Sequence, residues 1–451
     1  MTGVTNLHLA PAPVRVDGLW AVPIDIQSLD ATLYFDAAQC SAEAEVYLEF
    51  VHGAKTGCPV FDLRQPIAEA WLDGQTIDPA RMAHHDFGAG PESSMRILEA
   101  RCRPGSRHSL RIRYPLDRPA AVDVGSRLPG LVWVPGLGVR FNFGFSDLGP
   151  GRYLDSWLPA NLIYDQHAVD IGVTITGVKE PHVAIHNGNW ATQLARNRWW
   201  IEYRRYSTSL SPMLELHPAR LVRGKRTETR LPVSRKRVTI EMWKDVQDRT
   251  RLGPLAKEVA GWLAGHERAM GRYVHGDRFV VYLQERGGME YDGGCTSSVE
   301  ALYHEVFHSW WARGLKPASQ NDGWIDEAWT VYCDEHPDTA IAFDWDAPPI
   351  TLSPGHPWWR STPREAYREG VRMFQGIAHL LGSAKKLHRA MRAFYKANAP
   401  GFVTTAELEA HLSPLHPDVH RAFARFVYGR IDGEQGRTRR AQPRRRADRS
   451  D

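Results

Sequence analysis

His304-Glu305-Val306-Phe307-His308, followed after eighteen residues by Glu327, decides how this 451-residue chain reads. Two imidazoles four positions apart leave the same face of an α-helix, where one small cation fits between their nitrogens. A carboxylate one position after the first His stands where a general base for a metal-activated water is needed. Glu327, from a second helix, supplies the third ligand. Three protein ligands with a fourth position left for water define a catalytic zinc site, one Zn2+ per chain, as opposed to a closed structural one.

The flanks set the elements. Ser297 with Glu300 makes a capping-box pattern ahead of residues 299–313, a run without Gly or Pro that stops at Gly314. That pattern predicts a helix of about four turns with both His near its middle. Asp322 is placed to cap the second helix, on which Trp324, Ala328 and Val331 share a packing face. Residues 278–283 (Arg-Phe-Val-Val-Tyr-Leu) read as a strand that exits through Gln284-Glu285-Arg286-Gly287-Gly288. A peptide could add along an exposed edge there through backbone hydrogen bonds, and Gly287 and Gly288 permit close approach.

Four pieces in order resemble the aminopeptidase N family of gluzincin zinc metallopeptidases, which includes leukotriene-A hydrolase. They are His304-Glu305-x-x-His308 with Glu327; the block Trp324-Ile325-Asp326-Glu327-Ala328-Trp329-Thr330-Val331-Tyr332; Gly287-Gly288-Met289-Glu290-Tyr291, similar to the exopeptidase motif Gly-x-Met-Glu-Asn; and Tyr367-Arg368-Glu369-Gly370. On the residues alone Glu290 reads as a surface carboxylate after a turn, and Tyr367 as a packing tyrosine. The resemblance implies that Glu290, with Gly287, Gly288 and Met289, binds substrate and pairs with its free ammonium. It implies that Tyr367 donates to the developing oxyanion. His304, His308 and Glu327 become the zinc ligands and Glu305 the general base, with Glu305 and Tyr367 the catalytic pair. The sequence departs from the family pattern at Asp326 (Asn), Ala328 (Gly), Tyr291 (Asn) and Glu369 (Lys), and the family's long C-terminal helical solenoid is missing from it. Asp147 stands near where the family places a further amine-binding acid, but reads equally as a turn residue and is left out of the site.

The resemblance and the patterning give an α+β fold in three parts. Residues 1–235 form an N-terminal β-sandwich or saddle domain, with alternating strands at 44–51, 109–114 and 169–175. Residues 236–430 form a thermolysin-like zinc peptidase domain, with the zinc site at 287–332 and a mainly helical lobe from about residue 360. Residues 252–273 are read as a helix with Pro254 near its start, and Thr404-Thr405-Ala406-Glu407 as another helix start. Residues 431–451 are a basic, disordered tail, and its seven Arg against two Asp from 437 onward account for the formal charge of +4.

Five cysteines, an odd number without Cys-x-x-Cys, argue for reduced thiols and a cytoplasmic setting. No run of eighteen apolar residues predicts a transmembrane helix, and no aromatic interleaving in the tail points to nucleic acid. The expected activity is that of a zinc-dependent aminopeptidase acting on short peptides with a free N-terminus. The rivals are a zinc endopeptidase or other hydrolase indifferent to that amine, and a catalytically silent binding protein of the same fold.

Overall fold

A computed structural model describes residues 6–90, 93–117, 130–149 and 152–430. The basic residues 437–451 lie outside the described residues. In the first half, the strand Leu19–Asp36 pairs antiparallel with Ser41–His52. Ala42, Ala44, Val46, Leu48 and Phe50 turn inward while Glu43 and Glu49 turn out. That period of two is what a sheet covered on one face demands. Arg107–Pro115 and Ala168–Thr176 extend the same sheet, twelve-stranded among the described residues, and a four-stranded sheet closes over it. Their inner faces share one core.

A five-stranded sheet opens the second half in the order Val222–Arg230, Arg237–Asp245, Arg278–Leu283, Gly294–Ser297, Gly288–Tyr291. The expected junction at residue 235 therefore falls inside the hairpin that starts this sheet, with Val222–Arg230 on the catalytic side of it. Arg278–Leu283 is buried on both faces. Val280 and Tyr282 belong to the first core, and Phe279, Val281 and Leu283 to a second core shared with the helices. Helix α1 (Leu252–Ala269) places Leu255, Val259 and Leu263 against this second core. The helical lobe follows as expected: α4 (Glu369–Leu380), α5 (Ala384–Asn398), α6 (Thr405–Leu412) and α7 (Asp418–Phe426). At α6, the helix start read from the sequence is a capping box formed by Thr404 and Glu407. Among the described residues no helix is long and apolar enough to cross a membrane.

Two local readings need correction. The four-turn helix over 299–313 is a six-residue helix, α2 (Leu302–Phe307), with His308 as its cap. Ser297 ends a strand, and its hydroxyl donates to Ser298 O instead of capping α2. The chain tightens after His308 because two adjacent indoles need separate homes. Trp310 packs on His266 and Tyr273 and donates to Gly271 O, while Trp311 packs on Trp329 and Phe394. His275 Nε2 holds Ser309 O at 2.7 Å, which fixes the turn. Tertiary burial overrides a sequence free of helix breakers. Likewise Asp322 does not cap α3 (Trp324–Glu335), where Gly323 holds the cap position. Its carboxylate accepts from Ser319 and Thr405, tying α3 to α6.

Arg360 joins the halves. Its Nη1 donates to Asp62 Oδ2 (2.7 Å) and Ser94 O (3.1 Å), and its Nη2 to Asp155 Oδ2. Although burial opposes it, this guanidinium holds the Asp62 carboxyl well below the usual carboxylate range. Two residues on, Thr362 N donates to Asp147 O at 2.8 Å. Arg360→Ala leaves two buried carboxylates short of a cation and is expected to cost about 3–5 kcal/mol. Chemical denaturation would measure this. Arg360→Lys, which keeps a cation against Asp62 and Asp155, should lose less than Arg360→Ala, and an equal loss would locate the effect in the guanidinium fork.

Candidate active site

Helix α2 and α3 bring three donors to one point. His304 Nε2 and His308 Nε2 are 3.0 Å apart, and Glu327 Oε2 lies 3.3 Å from the first and 3.6 Å from the second. A tetrahedral zinc with nitrogen and oxygen ligands at about 2.0–2.1 Å needs its ligand atoms roughly 3.3 Å apart, so the donor set fits. Two imidazole nitrogens this close also require a proton or a cation between them. His308 Nδ1 donates to Trp311 O at 3.0 Å, which fixes the ring and leaves Nε2 for a metal. Glu290, Glu305 and His308 form a second close trio, but Arg313 already holds Glu290.

The surroundings are acidic and buried. Burial pushes the Glu305 carboxyl well above the ordinary glutamate value, and Glu290, Glu327 and Asp147 add to the shift against His308. Against its burial, His308 is pushed well above the usual imidazole range by Glu290 and Glu327. Although burial opposes it, Glu327 is held well below its usual value by His308 and His304. Asp326 is raised well above its usual value by burial first and Glu327 next.

The edge strand Gly288–Tyr291 sorts its residues by face. Gly288 and Glu290 turn toward the donors. A Cβ on Gly288 would intrude on Glu305 Oε1, so only glycine fits beside the carboxylate. Gly287 meets no such crowding, and its requirement is its positive φ of 66°. Met289 does not join the site; it packs into the first core with Tyr291. Glu290 is buried and accepts from Arg313 Nη2 at 2.7 Å. Tyr367 closes a 3-10 turn, Arg364–Tyr367, just ahead of α4. It is 36% exposed, and its hydroxyl lies beside Glu327. Burial of that hydroxyl and the nearby Glu327 and Asp147 raise it well above the usual phenol range.

One residue left out of the sequence reading and one that escaped it stand here. Asp147, weighed there as an amine-binding acid or a turn residue, is a half-buried loop residue of the first half that stands among Glu327 and Glu290; burial and those charges push it up to about 7. Arg313 looked like a helix terminus, whereas it is a buried partner for Glu290.

The sequence matches no family model and no curated protein. Solved structures do resemble the fold. A two-domain M1 zinc metallopeptidase bound to L-arginine superposes with a TM-score of 0.65 at 18% identity, covering 95% of this chain and 98% of that one. An M1 zinc metallopeptidase from Deinococcus radiodurans gives 0.64 at 17%, covering 90% and 94%. Legionella pneumophila aminopeptidase A with aspartic acid gives 0.65 at 13%, covering 90% of this chain and 50% of that one. At such identities the likeness is one of fold: a β-rich N-terminal part followed by a mixed, increasingly helical part, as in M1 zinc peptidases.

Metal uptake follows from the site's charge balance. Because Glu290 and Glu327 raise His308 against its burial, protons compete with a metal ion for this donor. Zinc affinity should therefore rise with pH through neutrality and fall about tenfold for each unit below the raised pKa. Competition with a chromogenic chelator between pH 6 and 8 measures this. An affinity flat across that range would refute the proton displacement. Glu327→Ala should bind at least about tenfold more weakly at every pH.

Proposed function

We propose that the chain is a zinc-dependent aminopeptidase of the aminopeptidase N type, releasing N-terminal residues from short peptides. The observation that carries this is the placing of Glu290 and Asp147, two carboxylates from different halves of the chain, beside one three-donor centre. A substrate ammonium can pair with them there. Support also comes from the relatives of like fold, which bind free amino acids.

His304, His308 and Glu327 hold the metal. When bound, zinc polarises the scissile carbonyl and acidifies an attacking water. Glu305 takes the water's proton and passes it to the leaving nitrogen. Its place against Gly288 fixes the carboxylate beside the substrate path. Tyr367 keeps its proton at all working pH values, because its pKa is raised, and so it can donate to the developing oxyanion. The substrate backbone adds along the edge strand Gly288–Tyr291. Five free cysteines suit a reducing cytoplasm.

One observation favours a second reading. Arg313 already neutralises part of Glu290, which weakens the pull on a free amine. A zinc peptidase that tolerates blocked N-termini would fit that pairing.

Hydrolysis of a leucyl fluorogenic amide beside its N-acetylated twin, each with and without chelator, separates the two. Chelator-sensitive cleavage of the free amine alone supports the aminopeptidase; equal cleavage of both discards it. Glu305→Gln should keep zinc and lose about 10²–10⁴-fold in turnover. Tyr367→Phe should lower kcat by about 10²-fold with KM little changed. Wild-type kcat in Tyr367→Phe would remove that tyrosine from the mechanism.

A further inference from the structure

Arg313 faces a second cavity as well as Glu290. This cavity, of about 610 Å3, lies between the loop that carries Arg204 and Arg205 and the segment from Arg313 into the strand Leu315–Pro317, which carries Lys316. Its volume falls in the range of small-ligand sites, roughly 300–1,000 Å3. Four cationic side chains line it against one carboxylate, Asp292. Asp292 is committed to Lys316 at 2.7 Å, as Glu290 is to Arg313. Arg204 spends its terminal nitrogens on the carbonyls of Val274 and His275. A concave surface of one sign concentrates counter-charge. Arg205 is exposed at the same cavity, and its charge also acts on Asp170.

We propose that this cavity binds a small organic polyanion bearing phosphate or carboxylate groups, and that its occupancy frees Glu290 through Arg313. Planar guanidinium forks suit either oxyanion. An anion on Arg313 shares the guanidinium, so Glu290 presents more of its negative charge to a substrate ammonium. KM for free-amine substrates then falls while kcat stays constant. The binding claim stands by itself; the effect on KM rests on the aminopeptidase reading.

Isothermal titration calorimetry of the zinc-loaded full chain, at ionic strength held constant with sodium chloride, tests the site. The probes are sulfate, for phosphate-like chemistry, and tricarballylate, for carboxylates. Saturable one-site binding of at least one is expected, and the preferred probe identifies the group recognised. Arg205→Glu should weaken it by about tenfold or more, the worth of one charge-assisted hydrogen bond. Its circular dichroism and basal turnover should stay those of the wild type. No saturable heat from either probe, or equal affinity in Arg205→Glu, overturns the site. Saturable binding with KM for the leucyl amide unchanged overturns the coupling to Glu290. Saturable binding by a protein that cleaves no amide would count against the aminopeptidase reading and leave the site standing.

Discussion

Five carboxyl groups crowd one buried region: Asp147, Glu290, Glu305, Asp326 and Glu327. Without positive charge such a cluster could not stay ionised in a place water scarcely reaches. Everything around it answers that constraint. The imidazoles of His304 and His308 stand against Glu327, and Arg313 stands against Glu290. Glu305 and Asp326, which have no such partner, are pushed toward their neutral forms. A divalent cation at the three donors would settle the remaining imbalance and reset these protonation states, since a bound ion becomes the largest local charge. The site is thus built to take up a cation, and a proton on His308 is its substitute.

Holding such a cluster takes two cores fixed to one wall. Arg278–Leu283 is that wall, giving alternate side chains to each core. The edge strand Gly288–Tyr291 inherits its position, with Met289 and Tyr291 anchored in the first core and Glu290 turned to the donors. The segment from Arg360 to Tyr367 then works as a strap. Arg360 is locked into the first half, Thr362 holds the Asp147 backbone, and Tyr367 arrives at Glu327 five residues later. Stability and site geometry share the same few bonds, so loss of Arg360 acts on both.

The sequence made legible what depends on local spacing. The pairing of His304 and His308 follows from helical periodicity, and Glu305 and Glu327 from their places in the motif; the Arg278–Leu283 strand follows from its apolar run. The N-terminal strands follow from alternation, and the helix start at Thr404 from its residue types. It misjudged what depends on distant partners. The length of α2 is decided by where two tryptophans find room, which no local pattern records. Asp322 serves Thr405, not its own helix, because the pairing crosses 83 residues. Arg313 became visible only once the chain was folded, and Asp147, which the sequence left between two readings, is set among carboxylates contributed by other elements. Met289 sat inside a motif read as a unit, yet strand alternation sends it to the opposite face from Glu290.

Asp326 shows how the fold can mute a substitution. Beside the third donor the resembling family carries an amide, and this chain carries an acid. In solution that exchange would add a negative charge next to Glu327. Here burial and the neighbouring carboxylates raise Asp326 well above its usual value, which favours its neutral form in the metal-free site. A neutral carboxyl has nearly the shape of an amide, with one donor and an acceptor, and its Oδ1 accepts from Glu327 N at 2.8 Å. The exchange therefore preserves hydrogen bonding without adding charge.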